Sequence, residues 1–353
     1  MGTPGMAGSG LKLAHMRKMA RFAAAGLLGG ILGLLILGGL PAAATTSSDP
    51  TVQRAADLVE WGRLKEARSL LAAAVADPGN ARDARLLAYY GHVLAKFGDL
   101  KGGMQMAKRA VGLDPQCGSC HLYLFEAMAD HAKTMSQFRA LLQLPKMKKQ
   151  LQKATSLDPN SADVQWGWID LDLALPAALG GSSADALRHA ERLAQIDPVD
   201  GHLARASIYQ SLRQPEQAMA EFRAAAVDHP NDPRGVFALG QALYQRQDFV
   251  AAAPQLARAL ALNPQSTLYA GYQAANLVRL KHLAQARQVL QAAAQLHPDS
   301  RLGAYLVAQA LHATGQDFDW AKQLLGAYRA VPPEPDQPTL AQAQQLWKNL
   351  GGS

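Results

Sequence analysis

The chain has 353 residues, of which 35 are Lys or Arg and 28 are Asp or Glu, so its formal net charge is +7. The first 44 residues contain four basic and no acidic residues, so the remaining 31 basic and 28 acidic residues leave a net charge of +3. No long basic run with interleaved aromatic residues is present, which argues against nucleic-acid binding. No convincing alternation of polar and apolar residues predicts strands, so an all-α fold is expected.

Residues 1–44 have the pattern of an export signal. Basic residues precede an unbroken apolar run, Phe22 to Leu40, which is 19 residues long, and a proline and three alanines follow it. Such a segment is typical of a secretory signal cut after Ala44. The run is also long enough for a membrane anchor. Residues 45–50 form a short linker, and we expect the rest of the chain to be periplasmic or exported, either free or held at the inner membrane by the apolar run.

The following part of the chain, residues 51–330, has a repeating pattern. Pro230, Pro264 and Pro298 close successive units and lie 34 residues apart. Within each unit, apolar residues fall at helical spacing over two stretches of about twelve residues, which predicts two amphipathic helices and a tight turn. One such hairpin cannot bury its apolar face alone, so the hairpins are expected to stack into an α-solenoid.

The two cysteines of the chain occur together in a C-x-x-C-H motif, Cys117 to His121. This motif is the attachment signature of c-type haem, so a covalent haem on Cys117, Cys120 and His121 is one interpretation. In an oxidising compartment the two thiols would instead form a disulfide. They would equally suit free, half-buried positions in the core, and the sequence leaves all three alternatives open.

Two repeats are longer than the others. Pro115, Pro159 and Pro198 end successive units at spacings of 44 and 39 residues, so the excess over 34 is ten and five residues. We assign the surplus to inserted loops near residues 130–146 and 176–183, between the two helices of a repeat. Insertions in a solenoid emerge on one side and often contact a partner.

Small residues inside the units carry a resemblance to a known family. Three small residues and the closing proline of one unit have counterparts in the next: Gly240, Ala252, Ala259 and Pro264 correspond to Ala274, Ala286, Ala293 and Pro298. This pattern resembles the tetratricopeptide repeat (TPR), which implies a right-handed superhelix of about eight helical hairpins. The longer repeats also resemble a group of bacterial exported TPR proteins of poorly defined role.

The TPR resemblance implies where a partner would bind. In this family the first helix of each hairpin lines the concave face, and certain positions point inward. These positions correspond to Arg234, Phe237, Gln241, Tyr244, Gln245, Leu268, Arg279, Tyr305, Gln309 and His312. Tyr, Arg and Gln among apolar residues suit the binding of a protein or peptide, although ordinary helix surface is the alternative.

The C-terminal part of the chain is predicted to end the solenoid. Residues 331–338 contain four prolines, so they form a linker that is not helical throughout. Residues 339–353 are predicted to form an amphipathic helix and tail that cover the last repeat.

The predicted function is binding rather than catalysis. The sequence has no G-x-S-x-G, phosphate-binding loop, dinucleotide loop or H-E-x-x-H. We therefore expect an exported, non-enzymatic scaffold, without cofactor or metal, that binds a protein or peptide through its concave groove. Two alternatives stay open: a c-type haem carrier, and a subunit of a solute-uptake or envelope-assembly system whose inserted loops contact a dedicated partner.

Overall fold

The computed structural model describes residues 50–351, which form 17 α-helices and two short 3₁₀ turns, without a strand in this range. The helices are α1 (Pro50–Glu60), α2 (Leu64–Ala76), α3 (Ala84–Lys96), α4 (Leu100–Leu113), α5 (Gly118–Ala132), α6 (Gln137–Leu157), α7 (Ala162–Ala174), α8 (Ser183–Ile196), α9 (Pro198–Ser211), α10 (Pro215–Asp228), α11 (Pro233–Gln245), α12 (Phe249–Leu262), α13 (Thr267–Arg279), α14 (Leu283–Leu296), α15 (Leu302–Thr314), α16 (Phe318–Arg329) and α17 (Leu340–Asn349). The predicted signal or anchor segment lies outside the described residues.

Consecutive helices pair into eight hairpins, from α1–α2 to α15–α16, and α17 follows as a single helix. Each first helix also packs against the first helix of a neighbouring hairpin, whereas second helices pack on their neighbours in sequence. The first helices are therefore closer together than the second helices, which curves the stack and puts the first helices on its concave side. The all-α solenoid that the 34-residue period predicts is confirmed.

Short polar residues and glycines set the helix ends. Asp83, Asp232 and Asp248 each precede a helix and accept a hydrogen bond from a backbone N–H in its first turn, as N-cap residues do. Gly62 and Gly98, in the turns of the first two hairpins, have φ angles of +77° and +84°, a region that favours glycine. These residues keep each turn short, so the two helices of a hairpin pack side by side.

Small residues lie where the two helices of a hairpin approach each other. A Cβ atom added to Gly240 would lie 2.9 Å from the side chain of Leu256 on the facing helix. A Cβ added to Gly91 would lie 2.8 Å from the carbonyl oxygen of Gly103. Ala252 is fully buried at the same interface as Gly240. The short side chains let the helix axes come close, so the larger neighbours interdigitate.

The longer repeats accommodate their extra residues in two ways. The helix α6 runs for 21 residues and contains Pro145, and only residues 133–136 separate it from α5. The surplus predicted as a loop near residues 130–146 is thus mostly extra helix, which corrects the prediction. A repeat spacing measures added length but does not distinguish loop from helix. Residues 176–182 do form an irregular connection, with the 3₁₀ turn Ala177–Leu179, and residue 183 begins α8.

The first hairpin contacts the C-terminal part of the chain. The carbonyl oxygen of Trp61 accepts hydrogen bonds from the backbone N–H of Thr267 (3.4 Å) and from its hydroxyl (3.1 Å). The backbone N–H of Lys65 donates to Glu334 at 3.0 Å, and its ammonium group donates to the carbonyl oxygen of Pro332. These contacts span 206 and 269 residues of sequence, so the solenoid closes on itself.

Candidate partner-binding groove

The residues predicted for the groove lie on three first helices, α11, α13 and α15. In chain order they are Arg234, Phe237, Gln241, Tyr244, Gln245, Leu268, Arg279, Tyr305, Gln309 and His312. They share the concave side of the solenoid but differ in burial. Burial therefore decides which of them can contact a partner.

Three of these side chains belong to the core. Phe237, Tyr305 and Gln241 are only 1%, 2% and 7% exposed. Phe237 stacks on Tyr269 with 4.3 Å between the ring centroids, and Tyr272 meets its ring at an angle of 79° with the centroids 5.5 Å apart. The structure does not support direct partner contact by these three side chains, because large aromatic neighbours cover them.

Tyr244 and Arg279 form a pair near the C-terminal ends of α11 and α13. Burial raises the pKa of Tyr244, and a hydrogen bond with Arg279 opposes this shift. The Arg279 guanidinium also lies over the ring of Phe249, 5.1 Å from its centroid. A guanidinium held against an aromatic ring is preorganised to donate to a carbonyl or carboxylate oxygen.

The remaining predicted residues keep some accessible surface. Gln245 is exposed, and Leu268, Gln309 and His312 are partly exposed. Together with Arg279 they form the accessible part of the predicted groove. Leu268 offers apolar surface, and the other side chains offer hydrogen-bond donors and acceptors to an extended segment.

Arg234 is compensated within the chain by three carboxylates. Its guanidinium lies 2.9 Å from Asp197, 2.9 Å from Asp200 and 2.6 Å from Asp232. Asp197 and Asp232 also cap α9 and α11 through their second oxygens. Burial raises the pKa of Asp200 to about 7, and Arg234 opposes that shift. The positive charge of Arg234 is therefore not free to bind an acidic partner.

The upstream inner face carries a second cluster that the sequence analysis missed. His92 lies 2.5 Å from Glu126, and the His92 ring is 5.7 Å from that of Tyr89 and 5.0 Å from that of Tyr123. Burial raises the pKa of Asp163 to about 7, and the charge of Glu126 adds to the shift. We call these five residues, on α3, α5 and α7, the acidic–aromatic cluster.

The repeat register contains the signal for this cluster. Asp163 is the second residue of α7, as Arg234 is of α11. Glu126 is the ninth residue of α5, as Gln241 is of α11. Extending the inward positions to the upstream repeats would therefore have selected both carboxylates.

The cysteine motif forms a disulfide between Cys117 and Cys120 at the start of α5. Both cysteines are buried, at 4% and 0% exposure. The His121 ring uses both nitrogens in hydrogen bonds, Nδ1 with Gln150 at 2.7 Å and Nε2 with the carbonyl oxygen of Pro115 at 3.1 Å. Covalent haem needs two free thiols and a free imidazole nitrogen, so the residues in this arrangement do not fit that group.

Between residues 50 and 351, no group of three or more His, Cys, Asp or Glu side chains is placed to hold a metal ion. Within the same range, none of the helices is both long and apolar enough to cross a bilayer. The apolar run predicted as a possible anchor precedes this range.

Residues 203–267 match the tetratricopeptide repeat family. The matched segment extends from α9 to the first residue of α13, which is two hairpins. This match identifies tetratricopeptide repeats in residues 203–267, and the eight stacked hairpins between residues 50 and 351 form an α-solenoid around them. No curated protein matches the sequence.

The chain aligns with three solved structures. Yeast Tom70 superposes with a TM-score of 0.57 at 17% identity, over 88% of this chain and 66% of that chain. The chain thus spans slightly less than two thirds of Tom70, and the likeness shows the fold alone. Cut9, from the APC/C hetero-tetramer Cut9–Hcn1, gives a TM-score of 0.44 at 15% identity, over 86% of this chain and 56% of that chain. YrrB, described as a TPR protein with an unusual peptide-binding site, gives 0.38 at 17% identity, over 56% and 97%.

Proposed function

We propose that this chain is a non-catalytic scaffold that binds a segment of a protein partner along its concave face. The observation that supports this proposal is the accessible surface of the first helices. Glu126 and Asp163 upstream, and Arg279 and Gln309 downstream, keep partly exposed polar groups on the inner side. A stacked solenoid presents such groups in a preformed groove, so little ordering cost falls on the receptor.

Selection of binding peptides tests this proposal. Residues 45–353 are immobilised, random peptides are selected, and the selected peptide is titrated by fluorescence anisotropy. We expect a weakening of about tenfold or more in at least one of two double variants, Glu126→Gln with Asp163→Asn or Arg279→Gln with Gln309→Ala.

The matched control for these variants is Arg258→Ala, which removes an exposed side chain from the second helix α12. We expect it to bind the peptide as the wild type does. Circular dichroism checks that each variant keeps its helix content. Failure to select any peptide, or wild-type affinity in both double variants, would overturn the proposal.

We also propose that residues 1–44 direct export. The buried disulfide between Cys117 and Cys120 supports an oxidising compartment, where such bonds persist. The intact mass and location of the chain in a bacterial host test this proposal. A mass lowered by residues 1–44 indicates cleavage, and a full-length mass in the membrane fraction indicates an anchor. A full-length chain in the cytosol contradicts export.

The second candidate function is binding of a dedicated partner by the extra turns of α6, as in a solute-uptake or envelope-assembly system. Phe138 and Leu142 lie one turn apart on this helix and are 72% and 59% exposed. Exposed apolar residues on one helix face favour a protein contact. Purification from the native host of the wild type and of Phe138→Ser with Leu142→Ser tests this candidate. Loss of one partner in the variant supports it, and an unchanged set of partners contradicts it.

A further inference from the structure

The closure of the solenoid creates a cavity between α1 and the start of α11. Its volume is about 240 Å³. One face of α1 forms one wall, and the residues that begin α9 and α11 form the other. The lining consists of Gln53, Ala56, Asp57, Glu60, Asp197, Asp232, Pro233 and Arg234.

The charges around this cavity are not balanced. The guanidinium of Arg234 forms ion pairs with Asp197, Asp200 and Asp232. The positive charge that lines the wall at the start of α11 is therefore already paired within the chain. On the opposite wall, the carboxylate of Glu60 forms no hydrogen bond or ion pair with the described part of the chain. The carboxylate of Asp57 accepts, among the same residues, only from the side-chain amide of Gln53 at 3.0 Å. Burial raises the pKa of Glu60, and Arg234 opposes that shift.

A buried hydroxyl on α13 provides an independent observation at this place. Tyr269 is 3% exposed, and its hydroxyl has no hydrogen-bond partner among the described residues. Burial raises the pKa of Tyr269, and the charges of Glu60, Asp232 and Arg234 act on the same hydroxyl. These three residues all line the cavity, so the hydroxyl lies near it, and an unsatisfied buried polar group calls for a partner.

We propose that this cavity binds the guanidinium of an arginine side chain in the partner segment. The two carboxylates of α1 offer acceptors along one wall of the cavity, and a guanidinium carries five donors in a fixed plane. It is also more weakly hydrated than an ammonium, which suits a half-buried site. Ala56 and Pro233 supply apolar surface for the aliphatic part of the side chain. This inference rests on the proposed function, because it names the chemistry of the bound segment.

The test uses N-acetyl-Gly-Arg-Gly amide as the probe and the same peptide with citrulline in place of arginine as the uncharged control. Both are titrated into residues 45–353 by calorimetry at low salt, because screening weakens a half-exposed ion pair. We expect saturable binding of the arginine peptide with a dissociation constant of about 1 mM or tighter. The citrulline peptide is expected to bind at least about tenfold more weakly.

Two variants near the cavity and one control variant assign the binding to the cavity. Glu60→Gln keeps the shape of the side chain and removes the charge, so we expect a loss of about tenfold. Glu191→Gln removes an exposed carboxylate from α8, and we expect no change. Tyr269→Phe keeps the ring against Phe237 and is expected to weaken binding by a few fold.

Equal affinity of wild type and Glu60→Gln, equal affinity for both probes, or no saturable binding would overturn the inference. The peptides selected in the display experiment separate this failure from failure of the proposed function. If the selected peptides lack arginine and bind wild type and Glu60→Gln with equal affinity, the proposed function stands. The arginine site in the cavity is then ruled out.

Discussion

The downstream inner face (α11 and α13) and the upstream inner face (α3 and α5) differ in how far they bury the side chains of their first helices. On α11 and α13, Phe237, Tyr269 and Tyr272 pack on one another and are buried. On α3 and α5, His92 and Glu126 remain partly exposed beside tyrosine rings. Aromatic rings are present in both regions, so an inward side chain belongs to the core where they cover it fully, as for Phe237, and to the surface where they cover it in part, as for His92. The comparison shows that position in the repeat does not by itself define a contact residue.

The largest expected effect is a difference in stability between two variants, one that removes a ring from the downstream inner face and one that removes a ring from the upstream inner face. Phe237→Ala removes a buried ring, so we expect a loss of about 3–5 kcal/mol in the free energy of unfolding. His92→Ala removes a partly exposed ring and is expected to cost less than about 1 kcal/mol. Urea unfolding of both variants measures the difference. Similar losses of stability would contradict the difference in burial between the downstream and upstream inner faces.

The disulfide is expected to matter less than the aromatic core. Cys117→Ala with Cys120→Ala opens a very short loop, for which the chain-entropy relation gives about 2 kcal/mol. The measurement is urea unfolding without reductant, with the oxidised wild type as reference. A loss as large as that of Phe237→Ala would show that the upstream half depends on the disulfide rather than on packing.

The contact between the first hairpin and α13 allows a local test. Thr267→Val removes the hydroxyl that donates to the carbonyl oxygen of Trp61 and keeps the shape of the side chain. One hydrogen bond contributes about 1 kcal/mol, so amides of α1 and α2 are expected to exchange about fivefold faster. Thr314→Val is the control, because its hydroxyl bonds within its own helix. Unchanged exchange in Thr267→Val would argue against closure in solution.

The smallest expected effect is a pH dependence from the acidic–aromatic cluster. The folded-state pKa of Asp163 is about 7, above its ordinary value of 3.8, because burial and neighbouring charge disfavour the ionised form. The folded state therefore binds the proton more tightly, so stability rises as the pH falls from above 7 towards 4. Asp163→Asn is expected to reduce this rise and to increase stability at pH 8. Thermal unfolding at pH 5 and pH 8 measures both, and an identical pH dependence would rule out this origin.

The sequence predicted the architecture better than the site, for physical reasons. The 34-residue period follows from hairpins that each bury one face, so Pro230, Pro264 and Pro298 were sufficient to predict the solenoid. The same period could not show that Trp61 meets Thr267, because a contact across 206 residues depends on the accumulated curvature of the whole stack. Closure places α1 beside α11, and local patterns do not contain that information.

Hydrogen exchange of the chain with and without a saturating selected peptide tests the central claim most directly. The concave-face account predicts slower exchange in the first helices, especially α5 and α7 or α11 and α13, with little change in the second helices α6, α8 and α12. Protection confined to the second helices, or to the extra turns of α6, would place the partner on another surface and contradict the account.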